Sequence, residues 1–392
     1  MATAIDNIKE HEKHGSKTAD DRFNWRYQDK TYNELFKKWR KQTKDSVGFY
    51  YADNPNELTY QDGVGFVKDY PEAAEANSLR RVYNVLGISL MLFTLMDIIY
   101  MYVFPMVLGK LGLDIYCDFF GRKLYGNDWL ILSLSLITEV AKRIFPFVFC
   151  YKFLHMPAKV MLPTKIINKE LFGAAVPAMC LVAGVCAAVS GVYNWILGGV
   201  HIEPVITAHL PDSRYAVAAY IILNVLIVPA ISEFCARGVI LQLLRQFGDG
   251  SAIIITALII SCLSYNISQF CYIFITAVVI GYFTVRTGSV ITAVLMRIVN
   301  RVIVYGIYAA SNFADEAYSG VLVMATIFIL VMFGLVYMIW FMLRRSDKLG
   351  MSFRSRYLRF VQKCTAAFTS VPMVIWSCSV VIMTVLNLKL NF

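Results

Sequence analysis

Hydrophobic and polar positions divide this chain into two unequal regions. Up to residue 80, apolar residues are scattered among charges; from Arg81 onward they gather into long blocks separated by short polar stretches. About nine of these blocks are long enough to cross a hydrocarbon core about 30 Å thick. They cover 82–109, 128–154, 171–199, 215–247, 251–267, 270–286, 289–310, 319–343 and 371–389. The pattern predicts an all-α fold, a polytopic transmembrane helix bundle over 81–392, preceded by a polar region over 1–80. Glu139, Lys142 and Arg143 interrupt the second block and read as a snorkelling or interfacial segment. Pro105, Pro146, Pro177, Pro229 and Pro372 fall in or beside blocks. A bundle tolerates such breaks where neighbouring groups satisfy the freed backbone.

Within the polar region, the stretch to Asp21 is charged and poor in aromatics, a composition that predicts disorder. Thr31-Tyr-Asn-Glu34 has the form of a capping box and starts a short helix through Trp39 and Arg40. Its amphipathic character suits a helix on the membrane surface or under the bundle, and equally a solvated helix with a small local core. Turn signals at Asn54-Pro55-Asn56 and Asp62-Gly63 leave room for a small hairpin.

Composition strengthens the membrane reading. The chain is 58% hydrophobic and 16% charged, against about 45–50% and about 25% for a soluble domain, and its mean hydropathy is +0.56. The first apolar run begins too late for a cleavable signal peptide. The nine cysteines lie mostly inside apolar runs and form no Cys-x-x-Cys pair, so neither a disulfide framework nor a zinc ribbon is expected. No metal site and no cofactor is expected either.

Charge matters once it is located. Residues 1–81 hold 14 Lys and Arg against 14 Asp and Glu, so the net charge of +10 belongs to the membrane region. Basic excess beside spans marks cytoplasmic loops and anionic lipid, not nucleic acid. The segment 344–363 carries Arg344, Arg345, Lys348, Arg354, Arg356, Arg359 and Lys363; the segment 156–170 carries Lys159, Lys165 and Lys169. Both are expected inside with the N-terminus, and the loops 200–214 and 311–318 outside. The loop 110–127, with Lys110, Arg122 and Lys123, runs against that order. The expected location is a cell membrane, the bacterial cytoplasmic membrane, with the N-terminus in the cytoplasm and the C-terminus outside.

Candidate chemistry lies with ionisable groups inside apolar blocks, each costing about 2.5–3.5 kcal/mol at mid-span on insertion scales. The dense set is Glu233, Arg237, Arg245, Arg286, Arg297 and Arg301. Glu233 and Arg237 are spaced i, i+4 with the acid first, the favourable order for a pair on one helix face. Arg297 and Arg301 repeat the spacing on another helix. Facing each other, the two pairs would set one acid among three bases around a polar cavity. A buried, purely structural ion pair is the first reading of Glu233 and Arg237, and an anion-accepting pocket the second.

Four segments then occur in a familiar order: Pro229-Ala-Ile-Ser-Glu-Phe-Cys-Ala-Arg-Gly238, the small apolar helix Ser251–Tyr265, Gly281-Tyr-Phe-Thr-Val-Arg-Thr-Gly-Ser289 and Ala293-Val-Leu-Met-Arg-Ile-Val-Asn300. Together, over about 215–305, they resemble the CPBP family of CAAX proteases and bacteriocin-processing enzymes. The resemblance implies a CAAX-protease-like core and peptide-bond hydrolysis in the membrane. In that family a glutamate and a histidine activate water, while a second histidine and an asparagine stabilise the oxyanion. Carried across, the first glutamate of the Glu-Glu-x-x-x-Arg motif is Ser232, and only Glu233 and Arg237 are kept. The Phe-x-x-x-His histidine is Ser264, the last-motif histidine is Arg297, and its asparagine is Arg301, with Asn300 one position early. The five histidines of the chain (His11, His14, His155, His201 and His209) all lie outside these segments.

A carboxylate engaged with guanidinium groups makes a poor general base, and a serine without a histidine or lysine partner makes a poor nucleophile. The expectation is a catalytically inactive homologue in which Arg297, Arg301 and Asn300 help bind a membrane peptide, a lipidated partner or a lipid from the bilayer. The rival reading is an active peptidase with a shifted site around Glu233. A transporter-like component finds no support, since no inverted hydropathy repeat is visible.

Overall fold

The computed structural model describes residues 27–41, 47–49, 58–61, 65–68, 71–118, 123–199, 202–204, 213–312, 316–350 and 357–390. The stretch expected to be disordered, and the turn at 54–56, lie outside them.

Helix α1 (Lys30–Lys41) turns Tyr32, Phe36, Trp39 and Arg40 inward. That spacing puts them on one stripe, and the stripe packs beneath the bundle: Trp39 Nε1 donates to the Leu154 carbonyl at 2.9 Å, and the Tyr32 hydroxyl to Gln242 Oε1 at 2.6 Å. Of the three placements open to this helix, docking under the bundle is the one adopted. Strands β1 (Leu58–Gln61) and β2 (Gly65–Lys68) form an antiparallel hairpin.

Helix α2 (Pro71–Ile98) continues through a π-helical turn, Ile99–Val103, into α3 (Phe104–Lys110). The hairpin of β3 (Ile115–Asp118) and β4 (Lys123–Gly126) leads to α4 (Asp128–Leu154), whose first turn is capped by the Asn127 side chain. The short α5 (Ala158–Met161) precedes α6 (Lys169–Gly199) and the strand β5 (Ile202–Pro204). The next apolar block is one continuous rod with two π turns in it: α7 (Arg214–Ile222), a π turn over Leu223–Ile227, α8 (Val228–Glu233), a second π turn over Phe234–Ile240, and α9 (Leu241–Arg245). After it come α10 (Asp249–Cys262), α11 (Ile267–Thr287), α12 (Val290–Asn312), α13 (Glu316–Leu349), α14 (Phe360–Phe368) and α15 (Val371–Leu386). Strand β6 (Leu388–Leu390) closes the described chain, paired with β5.

The fold is an α-helical membrane bundle. Each of the nine apolar blocks coincides with helix, but nine spans is more than length and composition support. Among the described residues six helices are long and apolar enough to cross a membrane, or seven if α14 and α15, bent by 84°, count as one broken span. Helix α4 drops out because it carries Glu139, Lys142 and Arg143. Helix α10 has 14 residues, a rise of about 21 Å, short of a core about 30 Å thick.

Contacts sort the helix ends into two groups. On the face of α1 lie the 155–168 segment, the 245–249 turn, the 287–290 turn and the end of α13. Lys165 pairs with Asp29 at 2.8 Å, Phe49 N donates to Gln246 at 2.8 Å, and Val290 N donates to Pro163 O at 2.8 Å. At the far ends, β5 meets β6, and Asn387 Nδ2 donates to Tyr265 O at 2.9 Å. A fully buried ion pair braces the α1 face. Lys363 Nζ lies 3.1 Å from Glu75 Oε1, and the other oxygen of Glu75 accepts from the backbone of Tyr357 and Leu358.

Candidate functional site

The rod with the two π turns positions the site. Glu233 ends α8, and the π turn that follows carries Arg237 and Gly238. A π turn adds a residue to the helical repeat and often marks a functional segment. Gly238 is required by close approach: a Cβ there would stand 2.7 Å from the Met161 carbonyl oxygen. Gly288 is required twice over, since its φ is +76° and a Cβ would fall 2.3 Å from the Tyr27 carbonyl oxygen. That turn reverses the chain from α11 into α12, which brings Arg297 opposite Glu233.

Glu233 sits between two guanidinium groups. Arg237 Nε lies 3.6 Å from one carboxylate oxygen and Arg297 Nε 3.6 Å from the other. The side chains of Glu233 and Arg237 are 3% and 1% exposed, and that of Arg297 12%. Arg237 also donates through Nη2 to the Ala277 carbonyl at 2.8 Å. Arg301, one turn beyond Arg297, has a buried Nε with no hydrogen-bond partner among the described residues. Between the two helices the ion pair is that of Glu233 with Arg297.

A cavity of about 310 Å³ opens on this cluster, lined by Ser232, Glu233, Ser264, Arg297 and Arg301. Its other walls include Leu86, Leu90, Val239, Ile260 and Ile273, so it is charged at one part and apolar elsewhere. Both serines are occupied locally. Ser232 Oγ donates to Pro229 O at 2.8 Å and Ser264 Oγ to Ser261 O at 2.7 Å. Among the described residues no histidine lines the cavity.

Two expected participants stand apart. Arg237 is buried behind Glu233 and does not line the cavity, and Asn300 accepts a hydrogen bond from the Tyr272 hydroxyl at 2.5 Å instead. Arg245 and Arg286 serve elsewhere. Arg245 pairs with Asp249 at 2.8 Å and lies over the Tyr32 ring, while Arg286 lies 4.0 Å from the Tyr27 ring centroid. Both therefore anchor the N-terminal segment. Among the described residues no cluster of His, Cys, Asp and Glu could hold a metal ion.

The four segments, brought together on one cavity, form a single structural unit. Residues 214–303 match the family model for type II CAAX prenyl endopeptidase Rce1-like proteins. The chain is thus a multi-pass membrane protein with a CAAX-protease-like domain. Comparisons with curated proteins and with solved structures yield no match.

Beside the CAAX-protease-like motifs, the structure adds residues that the pattern reading misassigned or missed. Lys142 is buried, 3.0 Å from Asp97, and also pairs with Glu139; Arg143 pairs with Glu139 and lines the cavity. The snorkelling reading of Glu139, Lys142 and Arg143 is therefore corrected: they face the bundle interior. Satisfying each charge by a neighbouring ion is less costly than reaching the interface from mid-helix. Asp97, a lone acid in the first apolar block, was the overlooked signal.

Proposed function

We propose that the CAAX-protease-like domain is a non-catalytic receptor whose cavity holds an amphipathic membrane ligand by an anionic group. The observation that carries this reading is Arg301. It lines the cavity with a buried Nε that has no hydrogen-bond partner among the described residues, while Glu233 is already held between Arg237 and Arg297. Among the described residues no acid is left to balance that positive charge, which suits an anionic ligand, and the apolar walls suit its hydrocarbon part. A membrane peptide, a lipidated partner and a lipid all have this character.

Hydrolysis by the family mechanism lacks its parts here. Ser232 and Ser264 stand where a base and an imidazole would be needed, and both hydroxyls are given to backbone carbonyls. A shifted site around Glu233 would have to take a proton on a carboxylate flanked by two arginines. Loop charge supports a cytoplasmic N-terminus in a cell membrane, since Lys159, Lys165 and Lys169 share the α1 face.

The test is paired. Purified protein is incubated with membrane peptides, wild type beside Glu233→Gln, and titrated with lysophosphatidylglycerol under native mass spectrometry. No cleavage is expected, together with lipid binding that weakens at least about tenfold in Arg301→Gln, the loss of one charge-assisted contact. Wild-type cleavage abolished by Glu233→Gln would overturn the reading.

A further inference from the structure

A second cavity, of about 270 Å³, adjoins the first. Phe93, Arg143, Leu263 and Ser264 line both, so the two share a wall rather than lying apart. The second is lined by Asp97, Glu139, Lys142 and Arg143, with Tyr100 and Asn266. None of these residues belongs to the CAAX-protease-like motifs.

The quartet is balanced within itself. Lys142 bridges Asp97 and Glu139, and Glu139 pairs through its other oxygen with Arg143. Arg143 makes its bonds to Glu139 through Nη1 alone, which leaves the rest of a guanidinium at the junction of the cavities. Arg143, Arg297 and Arg301 all line the first cavity, so three like charges share one space. Among the described residues, Asp97, Glu139 and Glu233 stand with Lys142, Arg143, Arg297 and Arg301 on the walls of the joined space, and Arg237, behind Glu233 and outside the walls, shares that acid, so the cluster as a whole carries a surplus of two positive charges. A surplus of that size inside a membrane bundle is costly unless an anion resides there.

A carboxylate or a phosphodiester carries one negative charge and would leave the surplus half met. A phosphomonoester carries about −1.5 to −2 at neutral pH, with three terminal oxygens for guanidinium donors. The neighbouring walls, among them Leu86, Leu90 and Ile273, are apolar and suit a hydrocarbon chain. We propose that the joined cavities bind a lipid phosphomonoester, its headgroup held by Arg143, Arg297 and Arg301. This rests on the receptor reading above and narrows it to one ligand class.

The full-length protein in detergent is titrated by native mass spectrometry with three probes. These are lysophosphatidate, lysophosphatidylglycerol and glycerol 3-phosphate, which are respectively the dianionic lipid, the monoanionic lipid and the dianionic headgroup without a chain. Lysophosphatidate is expected to bind at least about tenfold more tightly than either of the others. Arg143→Gln should bring the two lipids within about twofold of each other while lysophosphatidylglycerol still binds. Asp97→Asn, which releases Lys142 from one of its acids, should widen the preference for lysophosphatidate, an outcome that misfolding would not produce. Equal binding of the two lipids to wild type would overturn this proposal and leave the receptor reading standing. Binding of neither lipid would overturn this proposal and leave the receptor reading to membrane peptides and lipidated partners, and equal binding of glycerol 3-phosphate would reassign the site to a soluble phosphate.

Discussion

Replacing Glu233 by glutamine removes the charge that two arginines share. Arg237 is the more consequential partner, because its side chain is 1% exposed and its Nε and Nη1 have no hydrogen bond among the described residues to fall back on. Arg297 is better placed to recover, since it borders the cavity, where water can enter. Breaking a buried pair from one side costs about 3–5 kcal/mol, most of it the burden of the orphaned charge. Glutamine keeps an amide oxygen toward Arg237, which favours the lower end, about 3 kcal/mol. At about 2 °C per kcal/mol for a large domain, the thermal midpoint should fall by about 6 °C. The assay is thermal unfolding of the purified protein in detergent, Glu233→Gln beside wild type and beside Glu233→Gln with Arg237→Met. The double variant removes the orphaned guanidinium but leaves the Ala277 carbonyl without its donor, worth about 1.5 kcal/mol. About half of the loss should therefore return. A midpoint unchanged in Glu233→Gln, or a double variant worse than the single, would refute the account of Glu233 as the counter-ion that holds α8 to α12.

Other outcomes follow from neighbouring geometry. Restoring Ser232→Glu, Ser264→His, Arg297→His and Arg301→Asn together sets an acid, two imidazoles and an amide on the walls of one cavity. Cleavage of a membrane peptide should then appear, dependent on the new acid at 232; a well-folded variant without cleavage would count against the motif alignment. Gly288→Ala strains a positive φ and drives a methyl into the Tyr27 carbonyl. It should lower the thermal midpoint and expose the N-terminal segment to protease, whereas unchanged protection would mean that the segment is not held there. Lys363→Met should be destabilising by about 3 kcal/mol, because it leaves Glu75 charged in a fully buried site; Glu75→Gln with Lys363→Met should recover part of this in the same unfolding assay. Cysteine probes at Asn312 and Arg354 should label from outside and only after permeabilisation, respectively; the reverse pattern would invert the proposed orientation.

What the sequence by itself determined follows from periodicity and from the expense of charge in an apolar block. Uninterrupted apolar runs located the helices, and the i, i+4 spacing of Glu233 with Arg237 and of Arg297 with Arg301 announced an inward-facing cluster before any helix was packed. The four motif segments pointed to the CAAX-protease-like stretch because their residues serve local geometry that sequence order preserves: Gly238 lets the π turn touch Met161, and Gly288 makes the turn into α12. Tertiary structure alone decided which charge meets which. Lys142 found Asp97 across a separation of 45 residues, a pairing that no spacing rule encodes, and it turned an apparent interfacial segment into the wall of a second cavity. The same holds for Asn300 and for Arg245. Their chemistry suggested a ligand or a polar cavity, but helix rotation aimed the first at Tyr272 and put the second beneath α1, against Tyr32 and Asp249. A side chain's residue type is written in the chain; the face it presents depends on how every neighbouring helix is turned and seated.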